Sequence, residues 1–216
     1  MVLNLASLLI GYLLGSIPVA YIVTKLRKGI DIRDVDTGNV GAASVLRTSG
    51  FGQGFGVLLG DIAKGAAAIL VAQALDVSMY WVMGAGFAAI LGHSFPIYIG
   101  FRGGQGVATI IGLFLVLAPQ AMGITLVLII VILLFNRRIY ADRVFFAVVC
   151  AAPALPLCIW LINNEAIALT FYSLAVIIFV LFRNRRRLRH PKTATSMARN
   201  SRAVNQGGVD PASIDR

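Results

Sequence analysis

The sequence predicts an all-helical, polytopic integral membrane protein with seven transmembrane segments. Of its 216 residues, 58% are hydrophobic and only 13% are charged, whereas soluble domains have about 45–50% and about 25%. The mean hydropathy is +0.85. The apolar residues form long continuous runs, not the alternation of a transmembrane barrel, and helices are the form that satisfies the backbone of such runs in lipid. This composition excludes a soluble globular domain, a disordered chain and a coiled coil.

Seven apolar runs are the candidate spans, and five of them reach or approach the length of about 20 residues that a full span needs. The runs at 79–91 and 107–117 are short, so they are either half-helices inside the bundle or helices extended by their glycine-rich flanks. We interpret the first run as a helix and not as a signal peptide, because no Lys or Arg precedes it and no convincing cleavage site follows. The runs cover residues 3–24, 51–75, 79–91, 107–117, 119–135, 143–162 and 165–182.

The basic residues indicate how these segments are connected. The net charge is +10, from 19 Lys and Arg against 9 Asp and Glu. If the chain breaks at Pro119, where a helix lacks a backbone donor, every basic residue except Lys64 lies on one membrane face. If 107–135 were one helix, the loop at 136–142 and the tail would both lie on the face opposite to the two earlier basic loops. The positive-inside rule favours seven segments in the cell membrane, with the N-terminus outside and the C-terminus cytoplasmic.

We expect a membrane domain over residues 1–189 and a polar tail over 190–216. The tail has no apolar periodicity, which is typical of disorder, and the basic residues before it favour contact with anionic lipid headgroups. This explains the positive charge without a nucleic-acid partner. Cys150 and Cys158 lie in one apolar segment at a spacing that fits neither a metal site nor a redox pair, so we interpret them as small apolar residues.

Two loops on the predicted cytoplasmic face carry most of the chemically informative residues. One ends in Gly103-Gly104-Gln105-Gly106, immediately before a helix. Glycines let backbone N–H groups approach an anion, and a helix N-terminus adds a positive dipole. Arg102 offers a guanidinium fork for phosphate. The pattern therefore indicates either a phosphate site or a glycine hinge, and it lacks the residue order of a Walker A loop.

Three ionisable residues lie beside or within apolar segments. His93, at the mouth of the same loop, is a candidate general base or hydrogen-bond donor to phosphate, or else a structural residue. Asp61 and Lys64 are three positions apart, so they share a helix face and are expected to form an ion pair. Ionisable residues in a membrane helix are functional candidates, although a pair that fixes helix packing would show the same pattern.

The other loop, at 29–47, places small hydroxyl and amide side chains between glycines. Such groups either wrap an oxyanion or a polyol, or form ordinary turns. The candidates are Thr37, Asn39, Ser44 and Arg47.

A series of short motifs runs in order through the chain from Gly15 to about Pro119, with a weaker trace to Arg187. The motifs are Gly15-Ser-Ile-Pro-Val-Ala-Tyr21, Gly29-Ile-Asp-Ile-Arg33, Gly38-Asn39, Gly41-Ala42, Asp61 with Lys64 and Gly65, Gly92-His-Ser-Phe-Pro96, and Gly103-Gly104 with Gly106. Together they resemble the motifs of the bacterial acyl-phosphate-dependent glycerol-3-phosphate acyltransferases, the PlsY family.

The resemblance implies seven helices, an active site that faces the cytoplasm, and a role in phospholipid synthesis. An acyl phosphate would give its acyl chain to the 1-hydroxyl of glycerol 3-phosphate, producing lysophosphatidic acid and phosphate without a cofactor or metal. The implied catalytic residues are His93, Thr37 and Asn39. The implied substrate and phosphate contacts are Lys25, Ser44, Arg47, Arg102, Gly103, Gly104, Gln105 and Gly106. The implied structural support of the site comes from Asp61, Lys64 and Asn184.

The chain departs from the family pattern at several positions. Asp36 adds a negative charge where phosphate is expected, and Gln105 stands where the family has a lysine. Ala43 and Ser44 replace Thr-Asn, and Asp142 aligns with a position that tends to be serine. Changes that remove a cation or add an anion weaken the binding of a phosphate dianion on charge grounds.

These departures leave two further hypotheses beside an active acyltransferase. One is a divergent paralogue on the same scaffold, with another acceptor or with no catalysis, that binds lipid or phosphate. The other is a transporter, which would predict more polar residues at the membrane midplane than Asp61 and Lys64.

Overall fold

A computed structural model of the chain is helical throughout the residues that it describes, with no strand among them. The described residues are 1–35, 38–135, 143–162 and 167–185. The helices are α1 Val2–Ser16, α2 Val19–Lys28, α3 Ala42–Ser49, α4 Phe51–Ala74, α5 Met79–Ser94, α6 Val107–Leu117, α7 Pro119–Phe135, α8 Arg143–Ala151, α9 Ala154–Ile162 and α10 Ile167–Arg183. Short 3₁₀ turns lie at Ile32–Asp34 and Ile97–Ile99.

Each of the seven predicted apolar runs contains helix, and four helical stretches are long and apolar enough to cross a membrane. These four are Val2–Lys28, Phe51–Ala74, Met79–Ile99 and Val144–Ile162. The apolar helices α6, α7 and α10 are shorter. The prediction of an all-helical chain with membrane spans is therefore confirmed at this level.

Prolines determine where the apolar runs break. The predicted break at Pro119 is confirmed, because α6 ends at Leu117 and α7 begins at Pro119. Two runs that we treated as single segments are also divided, at Pro18 between α1 and α2 and at Pro153 between α8 and α9. A proline removes a backbone donor and disfavours helical conformation in the preceding residue, so the same rule explains all three breaks.

The two short runs have different outcomes. The run at 79–91 continues through α5 to Ser94, and a 3₁₀ turn extends it to Ile99, giving 21 residues in all. The run at 107–117 remains a helix of 11 residues. Glycine-rich flanks therefore lengthen only the first of the two.

Small residues let the helices that carry the candidate site approach closely. A Cβ atom built on Gly15 of α1 would overlap the carbonyl oxygen of Ala89 on α5. In the same way, a Cβ on Gly65 of α4 would overlap the carbonyl oxygen of Thr109 on α6. Small residues at such contacts are how membrane helices pack backbone to backbone. The ends of α1 and α5 therefore lie beside each other.

The apolar core lies between α4, α5, α6, α9 and α10. Ile69, Ile90, Leu113, Phe114 and Ile159 are completely buried there. Many other large apolar side chains point outward and are exposed, as expected for helices whose outer faces meet lipid instead of water.

Candidate active site

Three ionisable side chains meet in the interior, at the end of α5. Asp61 and Lys64 of α4 and His93 of α5 are 2%, 7% and 6% exposed. The Lys64 ammonium lies 2.8 Å from Asp61 Oδ1, so the predicted ion pair is confirmed. His93 Nδ1 lies 3.5 Å from the same oxygen, and this nitrogen has no hydrogen-bond partner among the described residues.

Lys64 also binds the break between α1 and α2. Its Nζ donates a hydrogen bond of 2.9 Å to the carbonyl oxygen of Ile17, the residue that ends α1 before Pro18. A helix end leaves carbonyl groups without intrahelical partners, and a cation near a helix C-terminus is favourable. One ammonium thus connects α4 to the α1–α2 break and to Asp61.

The glycine loop packs directly against His93. The Gly104 N–H donates to the His93 carbonyl oxygen at 3.0 Å. A Cβ on Gly104 would overlap His93 Nε2, and a Cβ on Gly103 would overlap the His93 carbonyl oxygen. Close backbone approach is therefore a reason for both glycines. The His93 imidazole lies between the Asp61 carboxylate and Gly104.

The first loop reaches this glycine loop through Val40. The Val40 carbonyl oxygen lies 2.5 Å from the position of a Cβ on Gly104. Beside it, Asn39 is half-buried, while Ser44 on α3 is fully buried. Arg47 is exposed, with its Nη2 atom 3.4 Å from Ser44 Oγ. The two loops therefore meet.

A second bridge, through Arg33, joins the same loops. Arg33 donates through Nη1 to the Ile99 carbonyl oxygen at 2.8 Å and through Nε to Asp31 Oδ1 at 3.0 Å. Its guanidinium also lies 5.4 Å from the centre of the Tyr21 ring, within cation–π range. The hydrogen bond from Arg33 holds the pKa of the Asp31 carboxyl below its usual range.

The other predicted site residues lie outside the buried cluster. Lys25 is exposed at the end of α2 and donates to the Gly29 carbonyl oxygen at 3.3 Å. Arg102 is exposed, and Gln105 is half-buried. Thr37 lies outside the described residues, as do Asp36 and Asp142.

Gly106 starts the helix that follows the glycine loop. It has a φ of +84° and is the N-cap residue of α6. A left-handed backbone at this point favours glycine over other residues. This residue therefore turns the chain from the glycine loop into the N-terminus of α6.

Arg183, which the sequence marked as a basic residue at the end of the last apolar run, lies near this cluster. Its guanidinium lies 5.2 Å from the centre of the ring of Phe95, two residues after His93. The neighbouring Asn184 is 6% exposed and donates to the Val180 carbonyl oxygen at 2.8 Å. The signal in the sequence was the Arg183-Asn184 pair at the end of the last apolar run.

The space among the buried polar groups is small. A cavity of about 10 Å³ is lined by Asp61, Lys64 and His93 together with Ile17 and Val40, which is room for about one water molecule. A molecule larger than water therefore does not fit among these three side chains. Among the described residues, no group of three or more His, Cys, Asp or Glu side chains is placed to hold a metal ion.

This arrangement suits the orientation of a hydroxyl group. A carboxylate beside Nδ1 favours the tautomer with the proton on Nδ1, which leaves Nε2 as a hydrogen-bond acceptor. Nε2 is the nitrogen directed at Gly104. The backbone N–H groups and helix N-terminus of the same loop suit a phosphate. A candidate acceptor for a hydroxyl group and backbone groups that suit an anion thus lie side by side.

Comparison with known proteins places the whole helical region in one group. The sequence profile of the glycerol-3-phosphate acyltransferases matches residues 5–191. Glycerol-3-phosphate acyltransferase 1 of Dehalococcoides mccartyi is 39% identical, over 86% of this chain and 91% of its own. The glycerol-3-phosphate acyltransferase of Geotalea daltonii is 36% identical, over 87% of this chain and 94% of its own.

Solved structures agree with the sequence comparison. The crystal structure of PlsY, an integral membrane glycerol 3-phosphate acyltransferase, in its glycerol 3-phosphate form matches with a TM-score of 0.77 and 29% identity. That match covers 86% of this chain and 90% of the crystallised one. The lysophosphatidic acid form matches with a TM-score of 0.74 and 26% identity, over 90% and 98% of the two chains.

Proposed function

The chain belongs to the glycerol-3-phosphate acyltransferase family, and we propose that its acyl donor is an acyl phosphate. It is an acyltransferase that acylates glycerol 3-phosphate. Of the three hypotheses that the sequence left open, the comparisons support this one. An acyl phosphate is a mixed anhydride, so binding and orientation of the two reactants supply much of the catalysis.

The reaction balances without a covalent enzyme intermediate. The 1-hydroxyl oxygen of glycerol 3-phosphate bonds to the acyl carbonyl carbon, and the bond from that carbon to the phosphate oxygen breaks. Lysophosphatidic acid and phosphate are the products. We assign to His93 Nε2 the hydrogen bond that orients the attacking hydroxyl, whose proton ends on the released phosphate.

Groups from both loops bind the two phosphates in this proposal. The contact between Val40 and Gly104 supports it, because it brings the loops together, and so does the start of α6 at Gly106. With His93, the catalytic residues are Thr37 and Asn39. The substrate-binding residues are Lys25, Ser44, Arg47, Arg102, Gly103, Gly104, Gln105 and Gly106. Asp61, Lys64 and Asn184 support the site.

An apolar cavity beside the loop supports a long-chain donor. Val107, the residue after Gly106, lines it, and the rest of its lining comes from α6 to α10. Its walls include Ile110, Met122, Val148 and Leu155. An acyl chain that lies there with its carboxyl end towards Val107 would place that end beside the glycine loop.

We further propose seven spans in the cell membrane, with the N-terminus outside and the loops and C-terminus in the cytoplasm. The distribution of basic residues supports this arrangement. Single cysteines in a Cys150→Ser/Cys158→Ser background test it in intact cells. A membrane-impermeant maleimide should label Ser78→Cys directly and Arg102→Cys only after permeabilisation. The reverse pattern would contradict the proposed orientation.

The observation that carries the proposed function is the His93 imidazole held between the Asp61 carboxylate and the Gly103–Gly104 backbone. The test is to give the purified protein glycerol 3-phosphate with either palmitoyl phosphate or palmitoyl coenzyme A, and to identify the product by mass. We expect lysophosphatidic acid to form with palmitoyl phosphate and not with palmitoyl coenzyme A. Formation from the thioester alone would refute the proposed donor.

A further inference from the structure

We propose that Asp61 and Lys64 are positioning residues for acyl transfer. In this proposal, the buried ion pair holds His93 against the Gly103–Gly104 loop and fixes that assembly to the α1–α2 break. The inference rests on the proposed function and deepens it, because it assigns the orientation of the proposed hydroxyl acceptor to two residues that do not touch the substrate.

The Lys64 ammonium contacts two oxygen atoms on different parts of the chain. It lies 2.8 Å from Asp61 Oδ1 and 2.9 Å from the Ile17 carbonyl oxygen. Pro18 interrupts the helix at that carbonyl, and in a membrane such a break persists only where neighbouring groups satisfy the freed backbone. The ammonium is such a group, so it sets the position of the break relative to α4.

His93 connects Asp61 to the Gly103–Gly104 loop. Asp61 Oδ1 is 3.5 Å from His93 Nδ1, and the other edge of the imidazole meets Gly104. The His93 carbonyl oxygen also accepts the Gly104 N–H at 3.0 Å. A rotation of the imidazole would press Nε2 into the Gly104 backbone. The orientation of one ring therefore determines where the loop lies.

A buried ion pair contributes little net stability to a fold. Removing two charges from water costs so much that replacing a buried pair with apolar residues of similar size is often neutral or stabilising. Stability alone therefore gives little reason for Asp61 and Lys64. A carboxylate that orients an imidazole and an ammonium that fixes a helix break give a specific reason.

The test is a neutral replacement of both charges, Asp61→Asn/Lys64→Met. It avoids the unpaired buried charge that either single change would leave. We expect kcat for acylation of glycerol 3-phosphate to fall about 10- to 100-fold, as for lost positioning groups. We expect KM to change less than about threefold, since the variant keeps the phosphate-binding groups. The thermal midpoint, measured alongside, shows whether the variant is folded.

The matched control is Ser173→Ala, which removes a fully buried hydroxyl on α10 that donates to the Thr170 carbonyl oxygen at 2.7 Å. It should leave kcat within about twofold, because Ser173 is not among the residues that contact Asp61, Lys64 or His93. A double variant of Asp61 and Lys64 that folds and keeps wild-type kcat would overturn the proposal.

A second variant covers the case in which the neutral pair fails to fold. Asp61→Glu keeps the charge and the ion pair but moves the carboxylate by one methylene group. We expect kcat to fall about tenfold, because displacements of this size are costly in catalysis. Wild-type kcat in this variant would equally overturn the proposal.

A readout without catalysis separates this inference from the proposed function. A nitroxide at position 102, introduced as Arg102→Cys without the two native cysteines, reports the mobility of the glycine loop. Its spectrum should sharpen in the neutral double variant, and an unchanged spectrum would count against positioning. A wild-type protein that fails to acylate glycerol 3-phosphate would instead refute the proposed function and leave this measurement valid.

Discussion

At the scale of single residues, the site depends on groups that approach without a side chain between them. Gly104 illustrates this, because its backbone contacts the His93 imidazole and the Val40 carbonyl oxygen at once. The same position presents a backbone N–H, which here bonds to the His93 carbonyl oxygen. Steric fit and the position of the loop therefore depend on one residue, and substitutions there affect both.

Gly104→Ala should reduce kcat/KM for acyl transfer at least tenfold. The new methyl group would overlap His93 Nε2 and the Val40 carbonyl oxygen, so the loop has to move away from His93, and small displacements of reacting groups are costly. Steady-state assays with palmitoyl phosphate measure the effect. Gly52→Ala is the matched control, because a Cβ there meets no atom within 4 Å. Equal activity of the two variants would contradict the contact.

Gln105→Lys tests the departure from the family pattern. A lysine would add a cation beside the proposed phosphate site, and charge-assisted hydrogen bonds are stronger than neutral ones. We expect kcat/KM for glycerol 3-phosphate to stay the same or to rise by up to about tenfold. Gln73→Lys adds the same charge at the far end of α4 and should have no effect. A large loss of activity in Gln105→Lys alone would contradict the assigned role of position 105.

At the scale of elements, the positions of helix ends bring the site together. The α1–α5 contact through Gly15 and Ala89 lies just before Ile17 on one helix and His93 on the other. The α4–α6 contact through Gly65 and Thr109 lies next to Lys64 on α4 and close to the glycine loop that precedes α6. Close packing of small residues therefore determines the distances within the site.

Gly15→Ala should destabilise the protein by about 1–3 kcal/mol, the usual cost of overpacking. The methyl group would overlap the Ala89 carbonyl oxygen, and backbone atoms have no alternative rotamer. Thermal unfolding in detergent measures this, with Gly56→Ala as control because a Cβ there also meets open space. An unchanged thermal midpoint for Gly15→Ala would show that the two helices are not in such close contact.

The Asp31–Arg33 bridge predicts a pH dependence of stability. The pKa of Asp31 is lowered in the folded chain, so the unfolded chain takes up the proton more readily. The bridge therefore stabilises the fold above the ordinary carboxyl pKa of about 4, and this contribution is lost as the pH falls through the lowered value. Because the pair is partly exposed, its contribution should be about 1 kcal/mol or less.

The corresponding measurement compares thermal midpoints of the wild type and Asp31→Asn from pH 7 down to pH 3. The wild type should be the more stable at pH 7, and the difference should shrink towards the acidic end. A difference that is independent of pH would mean that the carboxylate charge does not stabilise the fold.

At the scale of the whole molecule, patterns that are local in the sequence predicted more than contacts between distant segments. Apolar runs and Pro119 predicted the helices and one break, because each depends on neighbouring residues alone. The Asp61–Lys64 pair followed from helix spacing. By contrast, the approach of His93 to Asp61 depends on how α4 packs against α5, which a single sequence does not specify.

The same distinction explains which site residues were missed. Arg183 contacts Phe95 because the end of α10 packs near the end of α5. The sequence shows only that Arg183 follows an apolar run. Lys25 and Arg102 carry charges that suit phosphate, yet both are exposed outside the buried cluster. Residue type suggested the chemistry, and tertiary packing decided which residues share the site.

We propose that this protein transfers an acyl chain from an acyl phosphate to glycerol 3-phosphate at His93. The decisive assay follows phosphate release and lysophosphatidic acid together, in the wild type and in His93→Ala. We expect equal amounts of the two products, dependence on glycerol 3-phosphate, and a loss of at least tenfold in the variant. Phosphate release that is independent of glycerol 3-phosphate, or full activity in His93→Ala, would contradict it.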